Sequence, residues 1–273
     1  MWHMANVAST LSELLTNVSM FLCAVDEVCS VAQLNYAVYI VCNQSSTIMR
    51  FDSTTHQRLT DINVSGLRKA SDIAACEETF HLYVADFKEC IWRVSSDGED
   101  IECWLPKSPS ITFIPSTLSV TATRLLVTSQ STQQLIQFDA GGDELKRIQL
   151  PVYMRPQHAI ESPAGTFIVS QRNTRMKPQH QVSEVNGEGQ LLRQFSGSLG
   201  DTLHISGDSQ GNVFVADHAN SRILLLDAQL ALRHVIIDER QLIDEPHRLS
   251  YVEQAGQLLV GLDSSVAVFD VLQ

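Results

Sequence analysis

Three histidines, His158 in RPQHAI, His204 in DTLHIS and His247 in EPHRLS, stand 46 and 43 residues apart. Three neutral imidazoles around one open coordination position would hold zinc as a Lewis acid, able to polarise a carbonyl or activate water. A second group is cationic. The stretch QRNTRMKPQH carries Arg172, Arg175, Lys177 and His180, Arg155 precedes it, and Arg222 and Arg248 follow. Such a group suits phosphates or acidic peptides. A third stretch, GDSQGNVFVADHANSRILLLD from Gly207 to Asp227, concentrates aspartate, asparagine, histidine and arginine. It is either a catalytic cluster or the polar punctuation of a repeat, and a repeat must recur.

It does recur. Aligning the valine of VFVAD with similar runs gives Val41, Val84, Val127, Val169, Val215 and Val260, at spacings of 43, 43, 42, 46 and 45. About ten residues upstream of each lies a short apolar strand, joined to it by a small turn. Downstream come a third strand, a turn such as SSDGE or DAGGD, and a more polar fourth strand. Four short antiparallel strands in roughly 44 residues make one blade of a β-propeller. The sequence therefore reads as all-β, a six-bladed propeller of four-stranded antiparallel blades. The sixth blade lacks a fourth strand, while TNVSMFLCA, Thr16 to Ala24, is a strand with no blade. An open edge would leave backbone groups unpaired, so the N-terminal strand is expected to close the last blade. Residues 16–273 form the propeller. Residues 1–15 form an extension in which Thr10 and Glu13 make a capping box for a short helix.

The repeat reassigns the polar stretch. The place of Asp217 is taken in the other blades by Asn43, Asp86, Ser129, Gln171 and Leu262. A polar residue loosely repeated at a strand end reads as a loop anchor, whereas a catalytic residue occurs once.

At Gly211, Asn212, Val215, Ala216, Asp217, Asn220, Arg222, Ile223 and Asp227 the chain resembles the NHL-repeat family. Blade two follows the same pattern weakly through LYVADFKECIWRV, blade four keeps QRNTR before an insertion, MKPQHQ, and blades one, three and six fit mainly by spacing. The resemblance implies a propeller like those of tripartite-motif proteins, which bind proteins or RNA. A few NHL-like enzymes that cleave peptidyl-hydroxyglycine hold zinc with three histidines at similar places. Here the offsets of His158, His204 and His247 from the next apolar residue differ, and Arg248 beside the last would repel a metal. No metal and no cofactor are expected.

Composition sets the remaining bounds. A net charge of −12 disfavours broad attraction to nucleic acid or anionic lipid. No apolar run approaches a membrane span. The cysteines Cys23, Cys29, Cys42, Cys76, Cys90 and Cys103 show no C-x-x-C spacing, and a chain this long needs no staples. Reduced thiols and a cytoplasmic location are the expectation. No hydrolase elbow, P-loop, zincin motif or dinucleotide fingerprint is present. The resulting reading is a monomeric, non-catalytic scaffold whose partner is a protein or peptide. Its ligand face carries Arg155, Arg172, Arg175, Lys177, Arg222 and Arg248. Single-stranded RNA on that sector is the alternative, and a zinc-dependent lyase or hydrolase is the third.

Overall fold

Alternating apolar residues in short runs separated by turn residues dictate strands, and a strand covered on both faces becomes continuously apolar. In the computed structural model the second strands behave this way. Ala37–Cys42 and Val213–Asp217 are buried along their whole length. The outermost strands have little to cover them. Leu191–Gln194 is exposed throughout and Glu144–Gln149 is buried only at Ile148. This is why the fourth strand of each repeat reads as polar.

The structure describes residues 15–22, 27–87, 90–106, 113–174, 179–200, 203–238, 240 and 244–271. Of the expected N-terminal extension with its helix, only Leu15 falls within them.

Six four-stranded antiparallel sheets follow one another. Blade one is β2 (Val28–Leu34), β3 (Ala37–Cys42), β4 (Thr47–Asp52) and β5 (Ile62–Asn63). Blade two is β6 (Ala70–Cys76), β7 (His81–Asp86), β8 (Cys90–Ser95) and β9 (Ile101–Pro106). Blade three is β10 (Thr117–Thr121), β11 (Arg124–Ser129), β12 (Gln134–Phe138) and β13 (Glu144–Gln149). Blade four is β14 (Met154–Glu161), β15 (Phe167–Asn173), β16 (Gln179–Val185) and β17 (Leu191–Gln194). Blade five is β18 (Leu203–Gly207), β19 (Val213–Asp217), β20 (Arg222–Leu226) and β21 (Leu232–Ile237). Blade six has β22 (Arg248–Val252), β23 (Gln257–Gly261) and β24 (Ser265–Val271), and beside β24 lies β1 (Leu15–Leu22). In that last pairing Val18 stands opposite Phe269 and Phe21 opposite Val266.

The core is divided among the blade interfaces. One apolar cluster joins blades one and two through Tyr39, Ile48, Leu82 and Val84. The others join two to three, three to four, four to five and five to six. The sixth joins Val268 and Leu259 to Val31 and Phe51, which brings the last blade against the first. The inner strands β2, β6, β10, β14, β18 and β22 line the axis. The turns between first and second strands lie at one end of it. The loops that enter each blade and follow each second strand lie at the other.

Candidate functional site

The most family-like stretch proves to be an internal anchor. Asp217 is fully buried and accepts bonds from Gly200 N at 2.7 Å, Asn220 Nδ2 at 2.9 Å and Arg222 Nε at 2.8 Å. Arg222 also donates to the Ser198 carbonyl. A buried carboxylate needs such compensation. Arg222, expected on the ligand face, is therefore tied to the loop that enters its own blade. Asp86 plays a similar part in blade two, accepting from Arg68 N at 3.0 Å. The turn at the other end of β19 needs Gly211, whose φ of +86° disfavours any side chain.

Register defines the channel. The residues opposite the position after each aligned valine are Val28, Asp72, Thr117, His158, His204 and Arg248. They share one level of the six inner strands. Register shifts fall just before Asp72 and His158, and such bulges re-aim the side chain that follows. The sequence offsets of His158 and His204 differ because Ala159 in blade four holds the place of Ile205 in blade five. His158 and His204 do meet, a point the sequence left open. Their rings stack with centroids 3.8 Å apart and an interplanar angle of 20°. Asp72 joins them, with the potential ligand atoms of all three within 4.8 Å of one another. His247, one residue before this level, does not join. It bonds Asp263 and lies 4.4 Å from the His218 ring, near the carboxylate of Glu245.

The polar atoms of this level bind neighbouring backbone. An inner strand has a free edge towards the axis, whose N–H and C=O groups need partners. Asp72 Oδ2 accepts from Leu118 N at 2.7 Å. Thr117 Oγ1 donates to the Gln157 carbonyl at 2.9 Å, and Ser119 Oγ to that of Ala159 at 2.8 Å. His158 Nε2 donates to the Leu118 carbonyl at 3.1 Å. His204 Nδ1 accepts from Leu249 N at 3.2 Å, and Ser206 Oγ from Tyr251 N at 3.0 Å. Arg248, half-buried, reaches from blade six to the Ser71 carbonyl of blade two at 3.4 Å. These bonds fasten one blade to another. Arg248 thereby belongs to the channel rather than to an open cationic face.

Burial holds the His158 imidazole below its ordinary pKa, although Asp72 and the Leu118 carbonyl pull the other way. His204 is held well below it by burial, by His158 and by Arg248. Both rings are neutral near pH 7. Burial also pushes the thiol of Cys29, nearby on β2, up to about 12, so it supplies no thiolate. Cys29, Cys76 and Cys103 are free thiols. On the hairpin-turn side of this level a cavity of about 630 Å³ follows the axis between all six inner strands. Gln254 and Glu77, from blades six and two, bond across its mouth at 2.7 Å.

The loop end is different. Arg155 and Arg172 face each other directly across β14 and β15, and both are exposed. Among the described residues no carboxylate pairs with either. Like charges directly opposite in a sheet are unfavourable. Beside them lies a cleft of about 320 Å³ lined by Phe87, Ile114, Ser116, Gln130, Gln133 and Arg155. Lys69 Nζ sits 5.3 Å from the centre of the Phe87 ring, which is 41% exposed. Lys69, Phe87 and the cleft were missed from sequence, because they come from blades two and three while the cationic run lies in blade four. Arg175 and Lys177 fall outside the described residues. On the opposite side of the same end, Glu27, Asp244, Glu245 and Asp263 make an acidic sector.

No family model matches the chain, and no curated protein matches its sequence. Solved structures do match in fold. The WD40 β-propeller domain of Doa1 superposes with a TM-score of 0.65 at 13% identity, covering 94% of this chain and 96% of that one. The RRP9 WD40 repeats give 0.64 at 10% identity, covering 95% and 99%. Kuenenia stuttgartiensis hydrazine synthase gives 0.64 at 12% identity, covering 89% and 75%. At identities this low, the likeness establishes the shared β-propeller architecture alone.

Proposed function

We propose that the protein is a non-catalytic, NHL-type propeller that binds an acidic peptide segment of a protein partner over the loop end of blades two to four. The opposed pair Arg155 and Arg172, with no carboxylate partner among the described residues, carries this reading. Beside them the Phe87 cleft offers an apolar pocket for a neighbouring side chain, and Lys69 adds a third cation. Recognition of acidic motifs by arginines is a recurrent binding mode. The acidic sector across the axis favours a short peptide over a long polyanion such as single-stranded RNA, because it repels phosphates that leave the cationic side. The WD40 domains of similar fold agree with a binding role. The NHL assignment rests on the blade-five residues, whose Asp217, Asn220 and Arg222 form one network.

The test is fluorescence polarisation with three labelled probes: an acidic peptide containing one leucine, its lysine-substituted counterpart, and oligouridylate. The acidic peptide should bind and weaken as salt rises, and the lysine peptide should not. Preference for oligouridylate would transfer the sector to RNA. Equal binding of both peptides would remove the electrostatic reading.

A further inference from the structure

Arg155 of β14 and Arg172 of β15 stand directly opposite each other, and His180 of β16 continues the same row. Residues directly across strands share one face of the sheet, with Cβ atoms about 4.5–5.5 Å apart. Both arginines are exposed, and neither has a carboxylate partner among the described residues. Two guanidiniums held this close repel each other. An anion bound between them is attracted by both and relieves that repulsion.

Charge and geometry select the anion. A side-chain carboxylate brings one negative charge and two oxygens, which a single guanidinium fork occupies. A phosphate monoester brings about −1.5 to −2 near pH 7 and three acceptor oxygens, enough for two forks at once. The cationic spot is compact, on a chain of net charge −12. A run of carboxylates would extend beyond it, whereas one phosphate concentrates its charge within it. The cleft adds a second requirement. Arg155 is one of its walls, with Phe87 and Ile114. Gln133, another wall, donates to the Val152 carbonyl at 3.0 Å, and Val152 is 83% exposed. An apolar side chain therefore has a place next to the phosphate.

We propose that this surface is a phosphopeptide site. A phosphoserine or phosphothreonine sits on Arg155 and Arg172, and an apolar residue within two positions of it enters the Phe87 cleft. The inference rests on the peptide-binding reading above and names its acidic group. Phosphorylation of the partner then switches binding on.

The test compares three peptides that share one leucine and carry phosphoserine, glutamate or serine at one position, by fluorescence polarisation. The phosphoserine peptide should bind at least about tenfold more tightly than the glutamate peptide, and the serine peptide should bind more weakly than either. Arg155→Lys with Arg172→Lys keeps both charges but removes both forks. Both positions are exposed, so this variant should melt with the wild type. Its preference for phosphoserine over glutamate should fall to within about threefold. An unchanged preference would overturn the proposal. Equal affinity of the wild type for the phosphoserine and glutamate peptides would overturn it and leave the acidic-peptide reading standing, whereas no binding of any peptide would remove both. Inorganic phosphate that displaces the phosphoserine peptide at equal concentration would also overturn it, because the peptide would then contribute nothing. So would tighter binding of oligouridylate than of the phosphoserine peptide.

Discussion

The channel and the loop end both display polar side chains, yet these are used in opposite ways. Along the axis, Asp72, Thr117, His158, His204 and Arg248 each bond the backbone of another blade. At the loop end, Arg155 and Arg172 face one another in water with no carboxylate partner among the described residues. Burial forces a polar group to find a partner, because leaving one unmade costs about 1–3 kcal/mol. Exposure imposes no such demand, so uncompensated charges persist there only at small cost. Sites of the first kind hold the fold together. Sites of the second kind remain available for recognition. Substitution should therefore damage stability in one region and binding in the other.

The largest stability effect should come from a third place, the blade that joins the ends of the chain. A chain beginning at Asp26 lacks β1 and leaves the edge of β24 unpaired. Its melting temperature should drop by more than about 10 °C, or it should aggregate through that edge. An unchanged melting temperature would show that the β1–β24 pairing contributes nothing to the ring.

Next comes the channel. Asp72→Ala removes the acceptor of Leu118 N and should cost about 2–3 kcal/mol in urea denaturation. Asp72→Asn keeps an acceptor and should cost less. If both variants unfold at the wild-type midpoint, the bonds between blades are incidental.

These two regions were unequally legible in the sequence. The fold was readable because the spacing of Val41, Val84, Val127, Val169, Val215 and Val260 reflects one supersecondary unit repeated around an axis. The channel was not, because its ruler is cross-strand register. Hairpins of different length hide the common level from linear counting. Counting from each aligned valine back through its hairpin would have placed Asp72 beside His158 and His204 and left His247 out. The loop end was half visible. Arg155 and Arg172 stood out as charges, whereas Phe87 and Lys69 arrive from another blade, and no local pattern marks them. Arg222 looked free because a charged residue at the start of a strand gives no sign of its partner until the buried Asp217 opposite it is known.

A smaller effect separates the regions by pH. Both channel imidazoles are held below their ordinary value of 6.5 in the folded state. As pH falls through that value the unfolded chain takes up protons that the folded chain refuses. Stability is therefore full above about pH 7 and declines below 6.5, by up to about 1.4 kcal/mol per pH unit for each histidine. His204→Gln can still accept from Leu249 N but does not titrate, so it should flatten the decline between pH 7 and 5. Denaturation midpoints measured across that range check this. A slope identical to wild type would place the proton uptake elsewhere.

The smallest stability effect belongs to the loop end, and there the claim that exposed, uncompensated charge marks the binding surface is most open to test. Arg155→Glu and Arg172→Glu together keep like charges opposite one another, so folding should change by no more than about 0.5 kcal/mol. The measurement is acidic-peptide affinity by fluorescence polarisation, with the melting temperature recorded on the same samples. Binding should be abolished while the melting temperature stays within about 2 °C of wild type. Peptide binding that survives the reversal, on a protein that is still folded, would contradict it and move the interface away from blades two to four.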